Sequence, residues 1–305
     1  PLAFDPGAYA ISSSKIASDA LFRRCGIPSP ASWPDCAFPV LAKPDRGSGS
    51  EGVEVFPDPQ ALEARFRRLP PPGRLLQSYL AGPSYSIEVM GRPGSYTPLQ
   101  ITRLEMDGDF SCKRVLAPVP LTSHLTGLFE EMAVTLAEAV GLKGIMDVEA
   151  IVHEGHFKVL EIDARFPSQT PIAVYHSTGI NMVEGLAKVF LSGEEGGPGS
   201  VSEYPPRGSI LEHIRFRDGE LTICGEHIMA DAGPLHLEAD FFGSHEALTD
   251  YAPGNQAWVA TLMVRGSDLE EAQERRDQVI KDIRDRCGVG IYRDESPPEP
   301  MGTVP

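Results

Sequence analysis

The stretch from Met146 to Arg165, MDVEAIVHEGHFKVLEIDAR, constrains this chain more than any other. Its apolar and acidic residues alternate with a period of two, twice over. Met146, Val148, Ala150 and Val152 fall on one side of a strand, with Asp147 and Glu149 on the other. In the strand that follows, Leu160 and Ile162 share a side, and Glu161 and Asp163 share the opposite one. Whether the acids meet depends on the turn. A three-residue loop, His153–Gly155, with Gly155 at positive φ in a bulge, pairs Val152 with His156. That register sets Asp147 directly opposite Glu161, with Glu149 diagonal to it. A two-residue Glu154-Gly155 turn would put Glu161 on the wrong face, because a slip of one residue inverts a strand.

Two carboxylates ~4.5 Å apart repel by roughly 4 kcal/mol at an effective dielectric of ~20. Such a face calls for protonation or for cations between the acids. Hard oxygen ligands suit Mg²⁺, which takes one or two carboxylates together with substrate phosphates. The four acids Asp147, Glu149, Glu161 and Asp163 are therefore candidate ligands for such an ion. Arg165, on the same parity, is placed to face a phosphate. The alternative is an acidic strand face turned to solvent.

A second constellation is VLAKPDRGSGSEGVEV, residues 40–55. Lys43 ends an apolar strand. Gly47, Gly49 and Gly52, interleaved with Ser48 and Ser50, form a loop that returns to a strand. Such loops lay backbone N–H groups over phosphates while a neighbouring lysine supplies charge. The spacing is neither a Walker A motif nor the GxGxxG of a dinucleotide fold. Taken alone the segment also reads as an ordinary Gly/Ser hairpin loop. Joined to a carboxylate face elsewhere in the chain, it describes a site for ATP and Mg²⁺.

The remaining pattern mixes strands and helices without regular βα alternation, which gives an α+β (mixed α/β) class. Helices are expected from Ser12–Ser14 to about Cys25 and over 58–69, 125–140, 180–191 and 268–285. Strands are expected over 39–43, 53–56, 74–80, 84–90, 99–104, 110–116, 144–152, 157–163, 210–216, 221–228 and 258–264. The 305 residues divide into a linker with a first helix (1–27), a small lobe (28–82), a large lobe (83–292) and a disordered tail (293–305). The Gly/Pro-rich segment 194–206 reads as a mobile loop. A net charge of −16 argues against nucleic acid as a partner. No apolar run approaches the ~18 residues of a membrane span. The five cysteines form no CxxC, and no leader precedes Pro1, so a cytoplasmic location is expected.

With both constellations in hand, the sequence resembles an ATP-grasp ligase, whose two lobes clasp ATP. Lys15, in ISSSKIASD, resembles the family's first nucleotide-binding lysine, and Lys43 the second. LQSYL (76–80) resembles the interlobe hinge, which implies adenine contacts at Gln77, Tyr79 and Leu80; Ser48, Gly49 and Ser50 would cover the phosphates. Glu149 and Glu161, with Asp163 and Arg165 after them, resemble the family's E…E-x-N-x-R metal and phosphate signature, which implies Glu149, Glu161 and Asp163 as metal ligands with Asp147 a supporting acid; Asp163 stands where Asn is common. Ser84 stands where a ribose-binding Glu is usual; Glu88, on the same strand face, is the candidate to replace it. The phrases SYSIEV (84–89), TRLEMD (102–107), GIMDVE (144–149), EIDARFPSQTPIAVYHSTGINM (161–182), GEHIM (225–229) and FFGSHEALTDY (241–251) resemble the pyrrolysine-biosynthesis branch of that family. The resemblance implies two amino-acid substrates, 3-methyl-D-ornithine and L-lysine, joined through an acyl phosphate, with ATP and Mg²⁺ as cofactors. Lys43 and Arg165 would supply catalytic positive charge. Family members begin with a Rossmann-like domain of roughly a hundred residues, and this chain opens at the linker before Lys15; that domain would be absent here or carried by another chain.

At the substrate end, Arg103 and Glu105 could pair with an amino acid's carboxylate and amine, or with each other across a strand. Ser168 and Gln169 are candidate substrate contacts. Asp147, Glu105 and Glu226 are candidate acceptors for the proton that lysine's side-chain ammonium must lose. Glu212-His213 and Glu226-His227 read as carboxylate–imidazole pairs on two adjacent strands. Tyr175 and His176 read as packing residues, and Cys112 as a buried small residue rather than a nucleophile. The remaining alternatives are a ligase for another amino-acid pair and a nucleotide-binding protein without chemistry. A homodimer is left open.

Overall fold

The computed structural model describes residues 4–191 and 206–297. Two capped helices open it. Asp5 accepts from the backbone of Gly7 and Ala8 at the start of α1 (Pro6–Ser12), and Ser14 caps α2 (Lys15–Arg24) through the N–H of Ala17. A three-stranded sheet follows. Its central strand β1 (Val40–Pro44) runs antiparallel to both β2 (Glu54–Phe56) and β3 (Arg74–Ser78). The helix between them, α3 (Pro59–Arg65), brings Leu62 onto Val40, Ala42, Phe56 and Leu76. The pattern predicts this helix as far as residue 69, yet it stops at Arg65. Phe66 is extended (φ −119°, ψ 120°) and turns its ring onto Phe56, 5.6 Å between centroids. The Pro70–Pro72 run just beyond allows no further helical turn.

The rest of the chain builds one large sheet. Its elements are β4 (Ser84–Arg92), β5 (Ser95–Met106), β6 (Cys112–Ala117), α4 (Ser123–Val140), β7 (Gly144–His153), β8 (His156–Asp163), α5 (Thr170–Thr178), α6 (Met182–Leu191), β9 (Gly208–Arg217), β10 (Glu220–Ile223), β11 (His236–Ala239), β12 (Glu246–Thr249), β13 (Ala257–Gly266), α7 (Leu269–Cys287) and β14 (Ile291–Asp294). The strand order is β11-β12-β13-β9-β6-β5-β4-β7-β8, and β10 pairs with both β9 and β14. The amphipathic helix α4 buries Phe129, Ala133 and Leu136 against Ile87, Val89, Met146 and Val148. At the other end, α7 lays Val279, Ile280 and Ile283 on Ile214, Trp258 and Leu262.

The intermixed order agrees with the α+β expectation. Three local readings need correction. The strand predicted over 221–228 stops at Ile223, and Glu226–Asp231 is a 3-10 helix, so Glu226 and His227 do not lie on a strand. Arg293 and Asp294, expected in the tail, form β14 in parallel with Thr222 and Ile223. The helix α5 carried no clear periodic signal, and it forms because the sheet offers it a surface: Ala173 packs on Leu104, Val115, Leu211 and Met263. Most of the loop expected over 194–206, and tail residues 298–305, lie outside the described residues. Among the described residues no helix is long and apolar enough to cross a membrane.

Candidate active site

The hairpin β7–β8 reaches the expected outcome by a different register. Its turn has two residues, Glu154 (φ 52°) and Gly155 (φ 78°), and His153 pairs with His156. Gly155 does take positive φ, but Val152 pairs with Phe157. A two-residue turn alone would send Glu161 into the helix-covered core. A bulge at Leu160 reverses the parity: Ala150 pairs with Val159, whereas Glu149 pairs with Glu161. Asp147 therefore opposes Asp163, not Glu161, and Glu149 faces Glu161 directly. The bulge also frees the carbonyl of Leu160, which accepts from Lys43 Nζ at 3.0 Å.

On its other side β7 pairs with β4, setting Ser86 beside Glu149 and Glu88 beside Asp147. The acidic face is thus wider than the sequence suggested. Ser86 Oγ donates to Asp147, and Thr170 Oγ1 donates to Glu88. Burial first, and repulsion among the acids second, hold Asp147 and Glu149 well above the ordinary carboxylate range. Burial also raises Asp163, where the neighbouring Arg165 acts in opposition. Asp163 Oδ1 is buried without a hydrogen-bond partner among the described residues. Charge-repelling oxygens with an unpaired buried member are the donor set a hard divalent cation takes. Glu88, by contrast, is fully buried and does not line the cleft. It underlies the acidic face and is not placed to touch a nucleotide, because its position on β4 points it into the sheet's packing with Thr170.

Lys15 and Lys43 come to the same face from separate elements. Asp45 fixes the first turn of α2, accepting from Ser14 Oγ at 2.6 Å and from the N–H of Ile16 at 3.0 Å. That turn brings Lys15 Nζ to 3.0 Å from Glu161 and 2.8 Å from the carbonyl of Gly47. Lys43 is buried, and burial lowers its pKa although Glu161 and Glu149 pull the other way. The glycine loop covers the cleft. Gly47, Gly49, Ser50 and Gly52 all have positive φ, a run that suits glycine. Ser50 Oγ donates to the carbonyl of Phe110 at 2.6 Å, and Ser111 Oγ donates to Gly49 at 3.0 Å. Tyr79 meets Phe110 edge-on, centroids 5.9 Å apart, across the hinge-side wall. Gly82 follows the hinge at φ 151°, where a Cβ would lie 2.0 Å from the carbonyl of Val152.

These parts enclose a cleft of about 920 Å³, lined by Lys15, Lys43, Ser48, Gly49, Ser50, Gln77, Tyr79 and Leu80 towards one side. Glu149, Glu161, Asp163 and Arg165 form its floor, and Arg103, Glu105, Ser168 and Gln169 its far end. Arg165 Nε lies 2.8 Å from Asp163. Arg103 and Glu105 do pair, at 3.2 Å, and Glu105 is also held by Arg114. Ser168 Oγ donates to Glu226 at 2.8 Å, and Gln169 Oε1 lies 3.1 Å from His213 Nε2. Burial lowers His213 to about 4, so its imidazole is neutral.

Neither carboxylate–imidazole pair forms as predicted. Glu212 and His213 are consecutive on β9 and point to opposite faces; Glu212 is clamped by Arg114 and Arg276 instead. Cys112 lines the cleft, and burial pushes its thiol far up, away from nucleophile chemistry. Tyr175 and His176 lie outside the cleft lining. Residues not anticipated are Ser86, Thr170 and Asp107. Ser86 was legible in principle, since it shares the alternation of Ser84 and Glu88.

The comparisons fit this geometry. A profile of the ATP-grasp domain matches residues 12–169. The 3-methyl-D-ornithine–L-lysine ligase of Methanosarcina acetivorans is 34% identical over 296 residues, 95% of this chain and 76% of that protein. The ligase of the same name from Methanosarcina mazei is 34% identical over 292 residues, covering 94% and 73%. Among solved structures, an L-amino acid ligase from Bacillus licheniformis superposes with a TM-score of 0.62 at 17% identity, over 90% of this chain and 72% of that one. A biotin carboxylase–nucleotide complex from Campylobacter jejuni gives 0.66 at 17% identity, over 90% and 67%. Two lysines and a glycine loop facing a carboxylate floor across one cleft, on a chain matched from Ser12 to Gln169, are what that likeness consists of, and the chain belongs to the ATP-grasp family of nucleotide-binding ligases.

Proposed function

We propose that the chain joins the carboxylate of 3-methyl-D-ornithine to the side-chain amine of L-lysine at the expense of ATP, through an acyl phosphate. The observation that carries this reading is the extent of the likeness to the two Methanosarcina ligases. It spans about 95% of the chain, whereas the family profile ends at residue 169. The alignment therefore includes the strands and the 3-10 helix beyond the profile's end, which add Glu226 and His227 to the cleft lining.

Glu149, Glu161 and Asp163 would hold Mg²⁺, which when bound neutralises phosphate charge. Lys43 and Lys15 lie on the phosphate side of the same floor, and fixed positive charge there stabilises the oxyanions that develop during transfer. Arg165 bridges this floor to the far end, where the carboxylate to be activated must sit. The backbone of 77–80 and the ring of Tyr79 form the wall suited to a purine. Partial closure of the glycine loop onto Phe110 and Ser111 keeps water from an acyl phosphate, whose competing fate is hydrolysis.

Hydroxylamine trapping tests the order of events. With ATP, Mg²⁺ and D-ornithine as a stand-in, an ornithine hydroxamate should accumulate in the absence of lysine. A hydroxamate formed on lysine instead would reverse the two roles and end this assignment.

A further inference from the structure

Away from the cleft, the fold brings a second set of metal-ligating side chains together. The packing of α5 on the sheet places two of them. Ala173 of α5 and Leu248 of β12 share one apolar cluster. His176 follows Ala173 on the same face of the helix, and Glu246 lies on the same face of the strand as Leu248. His176 Nε2 accordingly meets Glu246 Oε1 at 3.1 Å. The third is His245, next in the chain to Glu246. Its N–H donates to the carbonyl of Met263 at 3.0 Å, and its carbonyl accepts from the N–H of Asp240 at 3.2 Å, which fixes its backbone. Its ring meets that of His176 edge-on, centroids 5.5 Å apart. One ligand atom from each of His176, His245 and Glu246 lies within 4.8 Å of the other two. None of the three lines the cleft.

The state of the two rings suits a cation. Burial first, and Arg265 second, lower both histidines from their ordinary range, so both are neutral near neutral pH, the form that ligates metal. His176 Nδ1 is buried without a hydrogen-bond partner among the described residues, so hydrogen bonding within the protein leaves this ring unfinished. Arg265 Nη2 lies against the ring nitrogens of His245, 3.0 Å from Nδ1. The guanidinium marks the side from which His245 takes positive charge, and Arg265 is only half-buried, with solvent to swing into.

We propose that His176, His245 and Glu246 form a site for a first-row divalent metal ion, Zn²⁺ foremost, separate from the acidic floor of the cleft. Two imidazoles and one carboxylate are a zinc donor set with a fourth position left for water, whereas Mg²⁺ prefers oxygen alone. Tetrahedral Zn²⁺ needs ligand atoms about 3.4 Å apart, so the cluster closes by roughly 1.5 Å at most. His245, the exposed member, has the room to supply that movement. The ion fastens β12 to the C-terminal half of α5, the helix whose first residue, Thr170, holds Glu88 beneath the acidic floor.

Zn²⁺ binding is measured by calorimetry, with ADP and excess Mg²⁺ occupying the cleft, for the wild type, His245→Ala, Glu246→Gln and Arg265→Gln. The wild type should take up one Zn²⁺ per chain. His245→Ala and Glu246→Gln should each weaken binding at least about tenfold. Arg265→Gln should strengthen it severalfold, because a competing cation is gone. His245 is exposed, so its loss spares the core, and thermal unfolding without metal checks this. Zn²⁺ should raise the Tm of the wild type and leave that of His245→Ala in place. Co²⁺ used instead of Zn²⁺ should give the visible absorption of a nitrogen-ligated four-coordinate ion in the wild type, and His245→Ala should lose it. No uptake by the wild type, or an affinity unchanged in His245→Ala or in Glu246→Gln, overturns the proposal. Weaker binding in Arg265→Gln overturns it too, since the guanidinium would then support the site instead of competing for it.

Discussion

His213 shows how a single buried group sets the acid limb of stability. It sits on β9 between Thr261 Oγ1, at 2.8 Å, and Gln169. In the unfolded chain a histidine takes up its proton near 6.5, whereas burial lowers this one to about 4. Between those values the unfolded state binds more protons than the folded state, so stability rises with pH across the window. The penalty is absent above ~6.5 and complete below ~4, and by about pH 4.5 it amounts to roughly 2–3 kcal/mol. Urea unfolding at pH 7 and at about pH 4.5 should show the wild type losing that much more than His213→Gln. Equal losses in the two proteins would mean that His213 is protonated in the folded state. Since Gln169 borders the substrate end, the same variant should also loosen the loop that presents Ser168.

At the scale of the element, the β7–β8 hairpin is the part on which the site depends. Its turn demands positive φ at two successive positions, and Glu154 occupies the first at φ 52° despite a side chain poorly suited to it. The larger dependence is on Leu160. Removing this residue alone makes the ladder regular and leaves Glu161 opposite Glu149, whereas one residue inserted opposite it, between Glu149 and Ala150, pairs Leu160 and turns Glu161 and Asp163 towards the α4-covered core. That insertion should abolish ATP-dependent turnover and lower Tm markedly. Substitution of Leu160 by Ala keeps the backbone count and should leave the register intact. Retained ATP hydrolysis in the insertion variant would show that the acids do not reach the cleft through this bulge.

For the whole molecule, a buried charge network ties the far end of the cleft to the C-terminal strand. Glu212, fully buried, accepts from Arg114 Nε at 2.5 Å and from Arg276 Nε at 2.9 Å. Arg114 also reaches Asp294 of β14 at 2.8 Å, and Lys113 pairs with the same carboxylate at 2.6 Å. These contacts join β6, β9, α7 and β14, and they carry Ser296 and Pro297 back to the cleft wall. Removing the central charge leaves the buried guanidinium groups of Arg114 and Arg276 with only the partly exposed Glu105, Asp277 and Asp294 beside them. Glu212→Gln should cost about 3–5 kcal/mol in urea unfolding, with Arg276→Met less damaging because Glu212 then keeps Arg114 as its partner. A Gln variant within about 1 kcal/mol of wild type would show that Asp294 and Glu105 suffice to balance Arg114 and Arg276.

The alternation in 146–165 by itself determined that two strands carry paired acids, and the Lys43–Gly52 segment determined a lysine beside a glycine loop, because period and composition are local properties. The caps of α2, α4 and α7 were equally legible: Ser14, Thr122 and Asp268 each accept a backbone N–H of the first turn, and Gly141 and Gly288 close the two long helices at positive φ. Tertiary structure decided the rest. The register needed the Leu160 bulge, whose frame is the pairing of β7 with β4 and the reach of Lys43 from another sheet. Glu88 read as a ligand contact until its strand was placed in the middle of the large sheet, where burial removes it from the cleft. Glu212 and His213 are neighbours in sequence yet serve different faces. Glu226 meets Ser168 only because the chain returns, 58 residues later, to the same end of the cleft. Local pattern fixes which side of a strand a residue takes; which other strand lies on that side depends on contacts between distant segments, and no periodicity records those.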